Sequence, residues 1–431
     1  MSEISEASIR ADVRAWLDAN WNPNLSLIEW RNKLVDSGWG APHWPSQWHG
    51  RDLPIGLVSV VEEEFRRIGA IGVAKAGIRV LAAATILAHG TDLQKAKFLR
   101  RSLTGEDTWC QLFSEPGSGS DVAGAVTRAE MRGNQWVVNG QKVWTTSAHK
   151  ADWGLLPART DWDQHKHRGL SYFIINMKQP GVTVQPLKQM NGHASFNQVF
   201  LTDATIEPEF LVANVGDGWA VTTTTLMHER RGADGLRTWA QASSRPGRAY
   251  DEERAEIATT MEPYKWYPQR AGRVDLIMQR AKETRRFDDP VVRQEIAKLM
   301  IMSKAAEWTA RRARTAQEQG KPQGPEGSLG KLASSYIARA AARVHTQLSG
   351  ADALLTGEDS PMGGVIAEIL VSVPATSIAG GTDEIQHNII AERVLGMPRE
   401  PGRTRAGRSA RCRAIRSPEA APTVVAASAP P

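Results

Sequence analysis

Residues 378–396 read Ile-Ala-Gly-Gly-Thr-Asp-Glu-Ile-Gln-His-Asn-Ile-Ile-Ala-Glu-Arg-Val-Leu-Gly. The two glycines interrupt the preceding structure, and threonine after them is a residue type that caps helices. The acids at 383 and 384 would lie in the first turn, where negative groups meet the positive end of the helix dipole. Apolar residues then recur at helical spacing: Ile385, Ile389, Ile390 and Val394. The segment therefore predicts a helix that docks by one apolar face.

Length and composition bound the class of protein. The chain has 431 residues, enough for two or three packed units, and its 41% hydrophobic and 23% charged content is ordinary for a globular protein. No apolar run approaches the ~20 residues of a membrane span, and the mixed charges of Met1–Leu17 do not resemble a secretion signal. With two cysteines and no metal-ligand spacing, we predict no metal site and a cytoplasmic location.

The net charge of +6 is concentrated at the C-terminus. The segment 401–431 contains six arginines, at 403, 405, 408, 411, 413 and 416, against the single acid Glu419. It is also rich in Ala, Pro and Ser and has no helical period, which predicts a disordered tail. Because the rest of the chain is nearly neutral, we predict no nucleic-acid partner.

The residue pattern changes twice along the chain. Residues 1–106 are helical in period, residues 107–215 contain short alternating stretches separated by turn residues, and helical periodicity returns over 216–400. This order predicts an α+β protein, mostly α, with an N-terminal helical domain, a central β domain and a C-terminal helical domain.

Two stretches of this pattern need separate mention. Asn139-Gly140 lies between Trp136–Val138 and Gln141–Trp144, which predicts a β-hairpin with a two-residue turn. Gln241–Arg285 is charged and interrupted by prolines, and its periodicity assigns it to no element.

A glycine-rich loop, Ser114-Glu115-Pro116-Gly117-Ser118-Gly119-Ser120-Asp121, follows the predicted strand Trp109–Phe113. Glycines let backbone N–H groups approach an anionic ligand, and the serines add hydroxyls. The loop matches neither the Walker nor the Rossmann pattern. On these residues alone, a tight surface turn is a better interpretation than a ligand site.

The loop, the Trp144-Thr145-Thr146 segment and the Gly-Gly-Thr helix occur in the order seen in the acyl-CoA dehydrogenases, and the chain resembles that family from about Trp16 to Arg399. The resemblance implies a central β-barrel-like domain, a C-terminal four-helix bundle and an assembly as a dimer of dimers, either homomeric or heteromeric. It also implies FAD, an acyl-CoA substrate and an electron-transfer flavoprotein as electron acceptor, in fatty-acid or steroid degradation.

The resemblance further implies site residues. Cofactor contacts fall at Gln111, Phe113, Ser114, Gly119, Ser120, Trp144, Thr145, Thr146, Arg285, Gln347, Gly350, Thr382 and Glu384. Substrate contacts fall at Ser120, Arg230 and Gly381. Arg285 is a substitute, because Thr284-Arg285-Arg286-Phe287-Asp288 stands where the family usually has Arg-x-x-Phe-Gly.

The implied reaction is α,β-dehydrogenation, in which a carboxylate takes the α-proton while hydride passes to N5 of the flavin. Much of the family has the basic glutamate where this chain has Gly380, which keeps a backbone N–H that can donate to the thioester oxygen. Some members carry the base on another helix, directly before an arginine, and here that position is Glu229 in His228-Glu229-Arg230. A solvated helix face is the alternative interpretation of the Glu-Arg pair.

Two other functions stay open at this point. The missing carboxylate at 380 favours a non-catalytic subunit that completes the flavin site of a related chain. A flavin oxidase or monooxygenase of the same fold would give roles to His193 and His228.

Overall fold

A computed structural model of the chain describes residues 5–74, 77–232, 243–319, 321, 324 and 326–398. These residues form two compact units. Unit 1 comprises the described residues up to 186 together with 196–260, and unit 2 comprises 187–195 together with those from 261 to 398. The predicted tail 401–431 lies outside the described residues.

Five helices open unit 1: α1 (Glu6–Asn20), α2 (Leu27–Asp36), α3 (Val58–Ile68), α4 (Arg79–His89) and α5 (Asp92–Thr104). Three of them begin at a hydroxyl residue that accepts a hydrogen bond from the backbone of the first turn, namely Ser5, Ser26 and Thr91. Their apolar stripes meet around the fully buried Trp30, whose indole N–H donates to the carbonyl of Ile71 at 2.7 Å. The helical period read from the sequence is confirmed here.

Part of the stretch that the sequence left unassigned forms α7 (Arg248–Met261). Its Glu256 accepts from Arg31 at 2.5 Å and from Arg79 at 2.6 Å. Burial would raise the pKa of Glu256, but the two guanidinium groups outweigh it and the pKa is lowered. The charged residues of this stretch, which make its helical period hard to recognise in the sequence, therefore attach the helix to α2 and α4.

The central part of unit 1 is a single eight-stranded sheet. Its strands are β1 (Trp109–Gln111), β2 (Arg128–Arg132), β3 (Gln135–Thr146), β4 (Trp153–Arg159), β5 (Leu170–Asn176), β6 (Val182–Leu187), β7 (Phe196–Ile206) and β8 (Leu211–Val212). Their order is β6-β7-β3-β2-β4-β5-β8, and β1 pairs in parallel with β4. Helix α6 (Gly218–Gly232) follows β8.

The hairpin predicted at Asn139-Gly140 is wrong, because β3 runs straight through these residues. Asn139 bonds across to β7 instead, with its Nδ2 donating to Asp203 Oδ1 at 2.9 Å. The β3–β7 register shifts at Gly140, where a side chain would meet Thr127 at 2.5 Å. The actual two-residue turn lies between β2 and β3, where Arg132 pairs with Gln135.

Unit 2 is helical: α8 (Tyr267–Arg270), α9 (Ile277–Glu283), α10 (Pro290–Glu318), α11 (Glu326–Ser349), α12 (Val365–Ser372) and α13 (Asp383–Arg393). Its main core joins α9, α10 and α11 through Ile277, Ile296, Leu299, Val344 and Leu348. Among the helices of the described residues, none combines the length and the apolar character that crossing a bilayer requires.

The apolar docking face predicted for α13 is found only in part. The buried residues of this helix are polar, Asp383 and Gln386, whereas Ile385 is 36% exposed and Val394 47% exposed. Asp383 accepts from Ser335 of α11 at 2.8 Å and pairs with Arg339 at 3.1 Å. Polar contacts thus attach α13, while Ile389 and Ile390 are half-buried.

Acid is expected to destabilise unit 1 through Glu64 of α3. Arg14, then Arg10 and Arg67, bond to this buried carboxylate and lower its pKa from 4.5 to about 2. A lowered folded-state pKa gives stability that is present above the unfolded value and is lost as pH falls through the folded one. The urea-unfolding free energy should therefore drop between about pH 5 and pH 2.

Glu64→Gln should remove much of that pH dependence and cost about 2 kcal/mol at neutral pH, since charge-assisted hydrogen bonds are lost. The neighbouring Glu63, half exposed with one bond to Arg10, supplies the control. Glu63→Gln should change both quantities little. Equal effects of the two variants would contradict the assignment of the acid sensitivity to Glu64.

Candidate active site

The glycine-rich loop 114–121 begins three residues after the end of β1. Glu115 and Ser118 exchange backbone hydrogen bonds of 2.8 and 3.0 Å, which closes the turn over Pro116-Gly117. Ser118 is buried, whereas Gly119, Ser120 and Asp121 are exposed, and nothing lies within 4 Å of the place where a Gly119 side chain would be. The loop therefore presents small residues and open space on one side of a fixed turn.

A buried ion pair fixes this loop from beneath. Lys142 of β3 is fully buried, and its Nζ donates to Glu115 Oε1 at 2.9 Å and to the carbonyl of Pro157 at 3.0 Å. Glu115 also accepts from the backbone N–H groups of residues 126 and 127. Burial alone would raise the pKa of Glu115, yet Lys142 and these donors leave it lowered. These hydrogen bonds all lead to groups of the protein interior, so the Glu115 carboxylate has a structural role.

Beside the loop, β3 bulges at Trp144. This residue has φ +61°, a left-handed backbone value, and the β3–β7 register shifts between Lys142 and Thr145. The indole is 55% exposed and packs edge-on against Phe196 at 5.7 Å. Thr145 is buried, and its hydroxyl has no hydrogen-bond partner among the described residues. A non-glycine residue in this conformation, with an exposed ring, is typical of a ligand-contacting segment.

Glu229 lies on α6, next to the start of the loop. Its Oε2 accepts from the side-chain Nε2 of Gln111, the last residue of β1, at 3.0 Å. The carboxylate side chain is half-buried. Glu229 is therefore not a fully solvated position. Arg230 continues α6, but its side chain is outside the described part of the structure.

Hydroxyl groups attach α6 to the rest of unit 1. Thr225, one turn before Glu229, contacts Tyr172 Oη of β5 at 3.0 Å and Thr85 Oγ1 of α4 at 2.9 Å. Thr224 contacts His89 Nε2 at 2.8 Å. Burial lowers the pKa of His89 and raises that of Tyr172, so both are neutral at physiological pH.

In unit 2, the Gly-Gly-Thr turn has the predicted cap. Thr382 accepts from the backbone N–H of Ile385 at 3.3 Å, and Gln386 donates to the carbonyl of Gly381 at 3.3 Å. Gly380 has φ +71° and Gly381 has φ +91°. Within the described part of the chain, the backbone N–H of Gly380 has no acceptor. Glu384 is exposed, and the helix-start N–H and Thr382 lower its pKa, as expected for a first-turn acid.

Three other predicted cofactor residues also lie in unit 2. Gln347 lies in the last turn of α11, and its buried Oε1 has no partner among the described residues. Gly350 follows that helix with φ +59°. Arg285 is exposed at a turn with φ +55°.

The remaining predicted residues divide by burial. Phe113 is buried and packs edge-on against Tyr172, so its side chain belongs to the core. Ser114 is half-buried, and its carbonyl accepts from Val143 N–H at 2.8 Å. Thr146, the last residue of β3, is half-buried. His193 bonds to Glu368 at 2.9 Å within unit 2, as a structural histidine does.

Comparison with known proteins covers most of this architecture. Residues 2–106, 110–204 and 269–395 match the N-terminal, middle and C-terminal domains of acyl-CoA dehydrogenase. The acyl-CoA dehydrogenase IpdE1 of Mycobacterium tuberculosis is 31% identical over 425 residues, which cover 93% of this chain and 99% of that protein. The chain belongs to the acyl-CoA dehydrogenase family. It is thus an acyl-CoA dehydrogenase, an oxidoreductase. Glu229 lies between the residues that match the middle domain and those that match the C-terminal domain.

Other relatives of this acyl-CoA dehydrogenase extend the comparison. The (2S)-methylsuccinyl-CoA dehydrogenase of Cereibacter sphaeroides is 30% identical and covers 81% of this chain and 61% of its own. Among solved structures, the Tcur3481-Tcur3483 steroid ACAD aligns with a TM-score of 0.62 at 23% identity, over 93% of this chain and 99% of that one. The glutaryl-CoA dehydrogenase complex with glutaryl-CoA gives a TM-score of 0.57 at 22% identity, over 92% and 97%. These structures support the fold.

Adding a side chain at Gly380 is expected to cost stability through the backbone alone. The nearest atom to such a side chain is Lys331 Cε at 3.8 Å, so nothing clashes, but φ +71° is strained for any other residue. Gly380→Ala should lower the urea-unfolding free energy by about 1 kcal/mol.

A helical glycine of the same unit provides the matched control. Gly327 lies in α11 with nothing within 4 Å of an added side chain. Gly327→Ala should raise the unfolding free energy by about 0.5–1 kcal/mol, the opposite sign, because alanine favours the helix. A stabilising effect of Gly380→Ala would show that the turn relaxes in solution.

Several residues of the site could not be identified beforehand. Lys142 and Glu115 are separated by 27 positions and only the sheet brings them together. Thr225 had one signal, the run of four threonines at 222–225, which is unusual in a helix because β-branched residues favour strands. In the structure these hydroxyls bond back to carbonyls of α6 or across to neighbouring elements.

Proposed function

We propose that this chain catalyses FAD-dependent α,β-dehydrogenation of an acyl-CoA thioester, with Glu229 as the base that takes the α-proton. One contact carries this proposal: Gln111 bonds to the Glu229 carboxylate at 3.0 Å. The carboxylate is thereby held at the end of β1, and it is half-buried. A carboxylate with one directed donor among the described residues retains lone pairs that can take a proton.

The chain's own groups supply three functions in this scheme. Glu229 accepts the α-proton, and the thioester oxygen gains negative charge as that proton leaves. A backbone N–H aimed at that oxygen would stabilise the charge, and Gly380 is our assignment for the donor. Ser120 and Gly381, with Arg230, are proposed to hold the thioester and its CoA portion. FAD, when bound, accepts the hydride that leaves the β-carbon.

Features of each unit fit FAD. In unit 1, Trp144 offers an exposed indole on a bulge, and the buried Thr145 hydroxyl has no partner among the described residues. In unit 2, the buried Gln347 Oε1 is likewise without one. Buried polar atoms are usually satisfied by hydrogen bonds, so these two atoms are compatible with a bound ligand. We propose that they bind FAD, together with Ser114, Gly119, Thr146, Arg285, Gly350, Thr382 and Glu384.

We also propose that further subunits cover unit 2. Helix α10 exposes Val291, Met300, Ile301 and Trp308, each at least 53% accessible. The side chains of Ile385 on α13 and of Val394 directly after this helix are exposed as well. Apolar surface of this extent on packed helices is typical of an oligomer interface. A dimer of dimers would bury it, and an electron-transfer flavoprotein would then reoxidise the assembled enzyme.

Purifying the chain alone and mixing it anaerobically with acyl-CoAs tests the proposed function. We expect a yellow oligomer whose flavin absorbance bleaches with at least one member of a panel of straight-chain, branched and steroid-ring thioesters. Bleached enzyme should be reoxidised faster by an electron-transfer flavoprotein than by oxygen.

Two other outcomes identify the alternatives. In the first, flavin binds only when a related chain is co-expressed, and the complex still bleaches when this chain carries Glu229→Gln. This chain would then be the non-catalytic subunit. The absence of the glutamate at 380 is the observation that favours it. Rapid reoxidation by oxygen would instead indicate a flavin oxidase or monooxygenase.

A further inference from the structure

The hydrogen bond between Gln111 and Glu229 joins two residues 118 positions apart in the sequence. On β1, Cys110 is fully buried and faces the core, as does Leu112 directly after the strand. Because side chains alternate along a strand, Gln111 points to the opposite face. A long polar side chain there can reach α6 without leaving the sheet.

Helix α6 is held at a second point one turn earlier. Thr225 contacts Tyr172 of β5 at 3.0 Å, and β5 and β1 both pair with β4. Residues four apart lie on one face of a helix, so Thr225 and Glu229 face the same sheet. The contact at Thr225 sets the rotation of α6, and Gln111 is left to set the direction of the carboxylate.

We propose that Gln111 is the positioning residue of Glu229, holding one carboxylate oxygen with its amide N–H so that the other is free to take the substrate proton. The proposal rests on Glu229 being the base. An amide suits this task because it donates without carrying charge, whereas an arginine would suppress the basicity of the carboxylate.

Other titratable groups approach α6 from its neighbours. His89 of α4 contacts Thr224, Tyr172 of β5 contacts Thr225, and the ring of His167 packs at 4.7 Å from Trp219. Asp217 precedes the helix, and His228 and Arg230 flank Glu229 within it. Among the described residues, Gln111 is the one that donates a hydrogen bond to the Glu229 carboxylate.

The test measures exchange of the substrate α-proton with deuterated solvent as a function of pH. The probe is an acyl-CoA whose β-carbon is quaternary, so that no hydride can leave and deprotonation is seen alone. Gln111→Leu removes the donor, and we expect the acidic limb of the exchange profile to move up by about one pH unit. Gln111→Glu keeps the shape but adds a like charge, and should move the limb further.

Gln141 gives a matched control, since its Nε2 donates to Gln198 Oε1 at 3.0 Å on β3 of the same sheet. Gln141→Leu should leave the acidic limb unchanged. If the acidic limb of the exchange profile is the same in Gln111→Leu, Gln111→Glu and wild-type enzyme, while Glu229→Gln abolishes exchange, then Gln111 does not position Glu229. Glu229 would still be the base in that case. If Glu229→Gln exchanges as fast as wild type, the base assignment itself fails.

Discussion

Glu229→Gln is expected to slow bleaching of the bound flavin by acyl-CoA about 10²- to 10⁴-fold, the usual contribution of a positioned general base. Glutamine has nearly the same shape, so acyl-CoA binding and flavin content should stay close to wild type. Anaerobic stopped-flow absorbance with the best thioester of the panel measures the rate. Gln111 would face an amide in this variant, and the pair can still form one hydrogen bond.

The control for this prediction is Glu209→Gln, at an exposed glutamate between β7 and β8. It should bleach at the wild-type rate. If the flavin of Glu229→Gln bleaches as fast as that of this control, Glu229 is not the base. The absence of a glutamate at Gly380 would then favour a catalytic partner chain.

The second large effect is expected at Lys142. Lys142→Met leaves the Glu115 carboxylate buried without its counter-charge, which typically costs 3–5 kcal/mol, so we expect a loss of about that size in urea-unfolding free energy. The loop 114–121 should loosen with it, and the variant should release FAD more readily. Flavin fluorescence during a dialysis series measures this release.

Lys166 provides the comparison for Lys142. It pairs with Asp121 of the same loop at 2.8 Å, but both side chains are partly exposed, at 35% and 57%. Lys166→Met should therefore cost less than about 1 kcal/mol. The double variant Glu115→Gln/Lys142→Met should recover part of the loss, because no uncompensated charge remains. If Lys142→Met and Lys166→Met lowered the unfolding free energy equally, the Glu115–Lys142 pair would have to be solvated.

The fold was largely predictable because its signals are local. Helical periods located the flanking helices, and all eight strands of the described residues lie within 107–215, where short alternating stretches predicted a β domain. The failures came from tertiary context. Asn-Gly favours a turn in isolation, but at 139–140 the neighbouring strand offers Asp203 as a partner. On α13, unit 2 covers only part of the predicted apolar face, since Ile389 and Ile390 are half-buried and Ile385 is exposed.

The site was predictable only in part. Glu229, Trp144 and Thr382 stand in recognisable motifs, and the structure gives each a distinctive environment: a directed donor, a strained backbone and a helix cap. The Glu115–Lys142 pair has no local signature, because burial of a lysine depends on the packing of the whole sheet. The partner of Glu229 was likewise hidden, since Gln111 had been assigned only to the flavin.

The central claim is that Glu229 removes the α-proton, and exchange of that proton with deuterated solvent tests it most directly. The substrate should carry the acyl framework that bleaches the flavin fastest, with its β-carbon made quaternary, so that hydride transfer cannot contribute. We predict rapid deuterium incorporation at the α-carbon with wild-type enzyme and at least a 10²-fold slower rate with Glu229→Gln. Incorporation at the wild-type rate in that variant would contradict the assignment.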